Sequence, residues 1–308
     1  MEAIVHSRTG ASTFRRIFWG PQGLRAGWSL AIFFTFYSVL TLGTQFGFAV
    51  VPALRAWVAA QPHEVITALG QIEFTGLELL ILLISVAFVS MVERRFFRDY
   101  GLSKTRLAAK HFPLGLALGF GMASVLTGLI ALFGGYSVQG LALRAPEILP
   151  KALMYGVSFL IVGFFEEFAF RGYLQATLQR GIGFWPAAVI LSLAFGAMHL
   201  PNVGGVWLAA VTAAGYGLVA ALALKRTGAL WFIIGVHSAF DWSNTFVYSS
   251  PITGLRAEGC LLKATLQGPV WLTGGHAGPV GSVFAPLVIA LAGLVIYFAF
   301  PQPARQTS

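Results

Sequence analysis

Long apolar runs, one of them carrying three charged residues, set the limits on what this chain can fold into. Eight such runs divide the sequence, at 27–51, 69–92, 114–133, 152–178, 185–199, 206–224, 229–248 and 280–300. Apolar stretches of about 18 or more residues read as membrane-crossing helices. An outer-membrane barrel would instead show short segments of alternating polarity. Backbone groups in hydrocarbon must be satisfied within their own segment, so continuous runs of this kind fold as helices. The composition agrees: 57% of the 308 residues are hydrophobic, only 10% are charged, and mean hydropathy is +0.77. Soluble domains run near a quarter charged. The expectation is an all-α polytopic membrane protein, a bundle of about eight transmembrane helices in a single transmembrane domain over 1–308.

The net charge of +9 comes from basic residues between the runs. With both termini in the cytoplasm, the inside segments hold fourteen Lys and Arg against five outside, as positive-inside topology requires. The main inside loop carries Arg94, Arg95, Arg98, Lys104, Arg106 and Lys110 and reads as a stretch lying on anionic headgroups. Membrane lipid is therefore the expected partner of the basic residues, and nucleic acid is not. The first 26 residues lack an apolar core ending in a small-residue cleavage site, so the first span is expected to be a retained anchor. The single cysteine, Cys260, excludes an internal disulfide and any cysteine-based metal cluster, and reads as a loop thiol. Glu73 and Glu78 are expected near the outer interface, and His6, His63, His111 and His276 in solvated loops. The glycine-rich third run permits close helix approach.

The fourth run contains Glu166, Glu167 and Arg171. An ionised residue at the centre of a spanning helix costs roughly 2.5–3.5 kcal/mol, so three within two turns need partners and make function the default hypothesis. Glu167 and Arg171 are four apart on one face, acid first, the favourable order for an ion pair. Glu166 points about 100° away and has no local cation, which leaves it free to carry a proton. The fifth run ends at His199. Glu166 stands 17 residues before Gly183 and His199 16 after it, so an antiparallel hairpin turning at Gly181–Gly183 brings both to one depth. The seventh run adds His237 and Asp241 one turn apart, with Asn244 three further on as an additional polar contact. A carboxylate and two imidazoles around one cavity suit general acid/base chemistry on water. Glu166, His199 and His237 also make up a two-His-one-carboxylate set of the kind that holds zinc, although the His-Glu-x-x-His spacing of zinc helices is absent. The residues alone leave both chemistries open.

Glu166-Glu167-x-x-x-Arg171, Phe195-x-x-x-His199 and His237-x-x-x-Asp241, in this order and each inside its own run, resemble the three-motif signature of the CAAX-processing and bacteriocin-processing (CPBP, Abi) intramembrane endopeptidases. The likeness covers 152–248. It implies an eight-helix endopeptidase, glutamate-type or metal-dependent, that cleaves a peptide or protein substrate near the membrane surface. In the eukaryotic branch that substrate is lipidated, and the last three residues of prenylated CAAX proteins are removed. Carried over by position, the resemblance makes Glu166 and His199 activate water, His237 and Asp241 stabilise the oxyanion, and Arg171 hold Glu167. Many members have asparagine at the last position. An aspartate donates a hydrogen bond only when protonated, and otherwise orients His237. The rival readings are a proton-coupled transporter, since intramembrane Glu/His chains also form proton relays, and a non-catalytic membrane or immunity protein.

Overall fold

The computed structural model describes residues 17–21, 23–60, 65–102, 105–202, 204, 206–251 and 254–301. Arg8, Arg15, Arg16, Lys104 and Arg305, and the histidines at 6 and 63, lie outside these residues.

Each apolar run folds as helix. After the short pair β1 (Trp19–Gly20) and β2 (Gly23–Leu24), α1 spans Ala26–Val50 and stops at Pro52, the first residue of the short α2 (Pro52–Ala59). Proline fits the first helical position because its missing N–H would have no partner there. Strand β3 (Val65–Ile66) leads to α3 (Ala68–Glu93), where the Thr67 side chain caps the helix by accepting from the Gly70 N–H. Helix α4 runs over Thr105–Leu132, starting well before the apolar run, and β4 (Tyr136–Leu141) follows. Helix α5 (Ala145–Glu167) passes without a break through a π-helical stretch, Phe168–Leu174, into α6 (Gln175–Ile182). Gly183, at φ 86°, makes the hairpin into α7 (Phe184–His199). Helix α8 (Trp207–Thr227) ends on Gly228 at φ 72°, a left-handed cap that suits glycine. Helix α9 (Trp231–Trp242) closes in a second π turn, Ser243–Val247, and α10 (Val270–Thr273) and α11 (Phe284–Ala299) complete the chain.

Among the described residues, five helical spans are long and apolar enough to cross a bilayer: Ala26–Val50, Ala68–Glu93, Ala108–Leu132, Ala145–Ile182 and Trp207–Thr227. Helices α7 and α11 are apolar but have 16 residues each, about 24 Å of rise against a hydrocarbon core of about 30 Å. Glycine and proline set the length of α7, with Gly183 at its start and Pro201 just past its end. The strands are confined to connections. The connection after α9 supplies β5 (Arg256–Ala257), which pairs parallel with β3, and β6 (Leu262–Leu266), which pairs antiparallel with β4.

Helix α9 is the centre of the bundle, with Phe232 to Ala239 all buried. Small residues let its neighbours reach it. A Cβ on Gly115 or Gly119 of α4 would sit 2.0 Å from the Phe232 carbonyl oxygen or 2.1 Å from that of Val236, so backbone lies directly on backbone. Gly163 of α5 does the same with α9, where a Cβ would meet Ser238 Oγ at 2.5 Å. At one end of the bundle Glu93 of α3, its side chain 1% exposed, accepts from Arg180 of α6 at 2.8 Å and from Ser29 of α1. This network ties the outer helices to the hairpin. His111 departs from the expectation of a solvated loop: it lies within α4, buried, with its ring edge-on to Phe300.

Candidate active site

The π-helical stretch begins one residue past Glu167, and all seven of its residues are buried. Such insertions occur often at functional sites because they shift side chains relative to an ideal helix. Glu167 and Arg171 remain paired across it, with Arg171 Nη1 3.5 Å from Glu167 Oε1, as their spacing predicted. That pair is part of a larger cluster. Glu167 Oε1 also accepts from His237 Nδ1 at 2.7 Å and from the Tyr216 hydroxyl at 3.2 Å. The Arg171 guanidinium stands 4.4 Å from the centre of the Phe195 ring, a cation–π contact that accommodates its buried charge. Glu167 thus fixes the orientation of His237 as well as meeting Arg171. Since a carboxylate only accepts, the Nδ1 proton is committed to Glu167 and Nε2 faces the other way.

On that other side Glu166 Oε2 lies 3.6 Å from His237 Nε2, and Asp241 Oδ2 lies 3.4 Å from it. The two adjacent glutamates differ in access. Glu167 has no exposed side-chain surface, whereas Glu166 is 25% exposed. What Glu166 faces is a cavity of about 230 Å³, lined also by His199, His237 and Asp241. Helices α5, α7 and α9 therefore bring their motif residues to one space. His199 arrives at the end of α7, its Nδ1 bonded to the Phe195 carbonyl oxygen of the preceding turn at 2.8 Å. That bond leaves Nε2 as the ring nitrogen able to meet water in the cavity. The apolar share of the wall includes Phe159, Met122, Leu126 and Val288, so a few polar groups converge inside a mainly lipophilic cavity.

Sequence reasoning missed two participants. Tyr216 of α8 reads in the sequence as one aromatic among many, and nothing there marks it as a partner of Glu167. Glu78, expected near the outer interface without a role at the site, lines the same cavity, with Gln71 and Thr75 of its own helix. Residues 71, 75 and 78 share one helical face, a spacing that was available as a signal. Asn244 is buried and spends its amide on the Phe240 carbonyl oxygen at 2.9 Å, and it does not line the cavity. Cys260 is buried, and burial pushes its thiol up to about 11, which leaves little thiolate at neutral pH.

A bound zinc would draw three or more donors to about 2.0–2.3 Å of one point. Among the described residues no group of three His, Cys, Asp or Glu side chains is so disposed. Both ring nitrogens of His237 already face carboxylates, at 2.7 Å and 3.4–3.6 Å. The metalloprotease reading finds no support in this donor set.

No curated protein matches the chain. A family model does, and its bounds contain all seven motif residues while leaving out Glu78. Residues 147–243 match the model described as Type II CAAX prenyl endopeptidase Rce1-like, so this stretch resembles that family.

Proposed function

We propose that this protein is an intramembrane endopeptidase that hydrolyses a peptide bond near the membrane surface with side chains alone. The observation that carries the reading is the shared cavity: Glu166, His199, His237 and Asp241, from three helices, line one space large enough for a substrate backbone and water. Amide hydrolysis needs a base for water, a donor for the developing oxyanion and an acid for the leaving nitrogen. Glu166, 25% exposed and lining the cavity, takes the proton of a water that His199 Nε2 helps to hold. The water oxygen adds to the scissile carbonyl carbon. His237, protonated on both nitrogens and steadied by Glu167 and Asp241, donates from Nε2 to the oxyanion. The Glu166 carboxyl then returns its proton to the amide nitrogen as the C–N bond breaks, giving a free acid and a free amine.

The substrate class that follows is a peptide or protein held at the bilayer, with a lipidated chain suited to the apolar wall. In this reading all eight apolar helices cross the membrane as one domain with both ends in the cytoplasm. The test is cleavage of C-terminal peptides, prenylated and not, by purified protein in detergent. E166Q and H199A are expected to lower kcat/KM by at least about 100-fold each. Undiminished cleavage in both variants overturns the proposal. Uptake of a substrate into proteoliposomes driven by a pH gradient, without cleavage, would favour the transporter reading instead.

A further inference from the structure

The wall opposite the motif residues is not inert. Helix α3 presents Gln71, Thr75 and Glu78 to the cavity, three polar side chains on one face of the span. Gln71 is held in place, its amide oxygen accepting from Ser158 Oγ of α5 at 2.7 Å. Glu78 lies near the middle of the span, exposed towards the cavity. Its carboxylate is close enough to Glu166 for their charges to interact. Among the described residues no Lys, Arg or His forms an ion pair with Glu78, although Glu93, Glu166 and Glu167 all have cationic or imidazole partners. A carboxylate placed at membrane depth without a protein partner calls for a partner from outside.

The charge balance of the cavity says which kind. Its lining contains three carboxylates (Glu78, Glu166 and Asp241) and two imidazoles, but neither lysine nor arginine. A low-dielectric vessel with that lining attracts positive charge and disfavours a second anion. We propose that Glu78 is a specificity-determining residue, which receives a lysine or arginine side chain of the substrate while the scissile bond lies against Glu166. The inference rests on the endopeptidase reading and adds to it a preference for a basic residue next to the cleaved bond. A paired, charge-assisted hydrogen bond in a desolvated site corresponds to about 10- to 100-fold in affinity.

The experiment compares kcat/KM across a peptide series in which each position flanking the cleaved bond carries lysine, its uncharged isostere norleucine, or glutamate. Wild type is expected to favour lysine over norleucine by about 10- to 100-fold at one position, chiefly through KM. In E78Q that ratio falls towards one, and in E78K the preference turns to the glutamate peptide. Equal thermal midpoints of the three proteins show that the ratios report recognition rather than folding. A Glu166-dependent cleavage without lysine preference, or one whose preference survives E78Q, overturns the assignment of Glu78 and leaves the endopeptidase reading standing. If wild type cleaves no peptide of the series, the endopeptidase reading fails and the assignment falls with it.

Discussion

Replacing Glu167 by alanine separates the two tasks that the structure gives this side chain. Glu167 is fully buried, and its Oε1 takes bonds from His237 at 2.7 Å, Tyr216 at 3.2 Å and Arg171 at 3.5 Å. Truncation leaves the Arg171 guanidinium, 3% exposed, without an anion. Removing one member of a buried ion pair costs about 3–5 kcal/mol, because the remaining charge stays desolvated. The Phe195 ring under Arg171 offsets part of that loss. At about 2 °C per kcal/mol for a chain of this size, E167A should melt roughly 6–10 °C below wild type in detergent. The companion variant E167L/R171M removes both charges and refills the volume, and should melt above E167A but below wild type, because the buried His237 and Tyr216 donors are left without their acceptor. Its cleavage activity should nonetheless stay at least about 100-fold down, since the imidazole of His237 has lost the acceptor that orients it. A wild-type melting point for E167A would refute the buried-charge argument. Full cleavage by the double variant would refute the role of Glu167 in holding His237.

Three further outcomes follow from particular contacts. G119A places a methyl group 2.1 Å from the Val236 carbonyl oxygen, beside His237, and should cost about 1–3 kcal/mol of stability and a large part of the activity. Thermal unfolding and peptide cleavage of the same preparation check it, and unchanged values in both would show that α4 does not set the position of α9. D241N should keep cleavage within about threefold of wild type, because an amide oxygen can accept from His237 Nε2 as the carboxylate does, whereas D241A should lose about 10- to 100-fold. A D241N variant as inactive as D241A would assign the aspartate a charge-dependent task. At neutral pH, where a thiol held at about 11 is almost wholly protonated, Cys260 should resist iodoacetamide in the folded protein and C260S should cleave normally. Rapid modification, followed by mass spectrometry, would contradict its burial.

The fold was legible in the sequence to the extent that hydrocarbon enforces it. Apolar runs announce helices because no other backbone state satisfies its own polar groups there, and the hairpin arithmetic around Gly183 put His199 and Glu166 at one depth, where both now line the cavity. Helix lengths were less legible: α7 and α11 end at 16 residues, short of a bilayer crossing by themselves. The π stretches after Glu167 and Trp242 left no trace in residue type, since they are a one-residue change of hydrogen-bond register within apolar sequence. Glu78 was visible as a mid-span charge, yet only the packing of α3 against α5 reveals which way its face turns. The Tyr216–Glu167 bond joins helices far apart in sequence, and such pairs are written in tertiary geometry alone.

The adjacency of the two glutamates is the feature from which the site's division of labour follows. Successive residues on a helix diverge by about 100°, so side chains at 166 and 167 are directed to different environments by the backbone itself. One direction leads into the interhelical core, where arginine, tyrosine and histidine donors converge on Glu167. The other leads to the cavity, where the Glu166 side chain is 25% exposed. Had the pair been spaced by three or four residues, both carboxylates would face the same way and compete for the same imidazole. With His237 standing between them, one nitrogen towards each, the orientation set by the buried glutamate is passed directly to the ring atom that faces the open one.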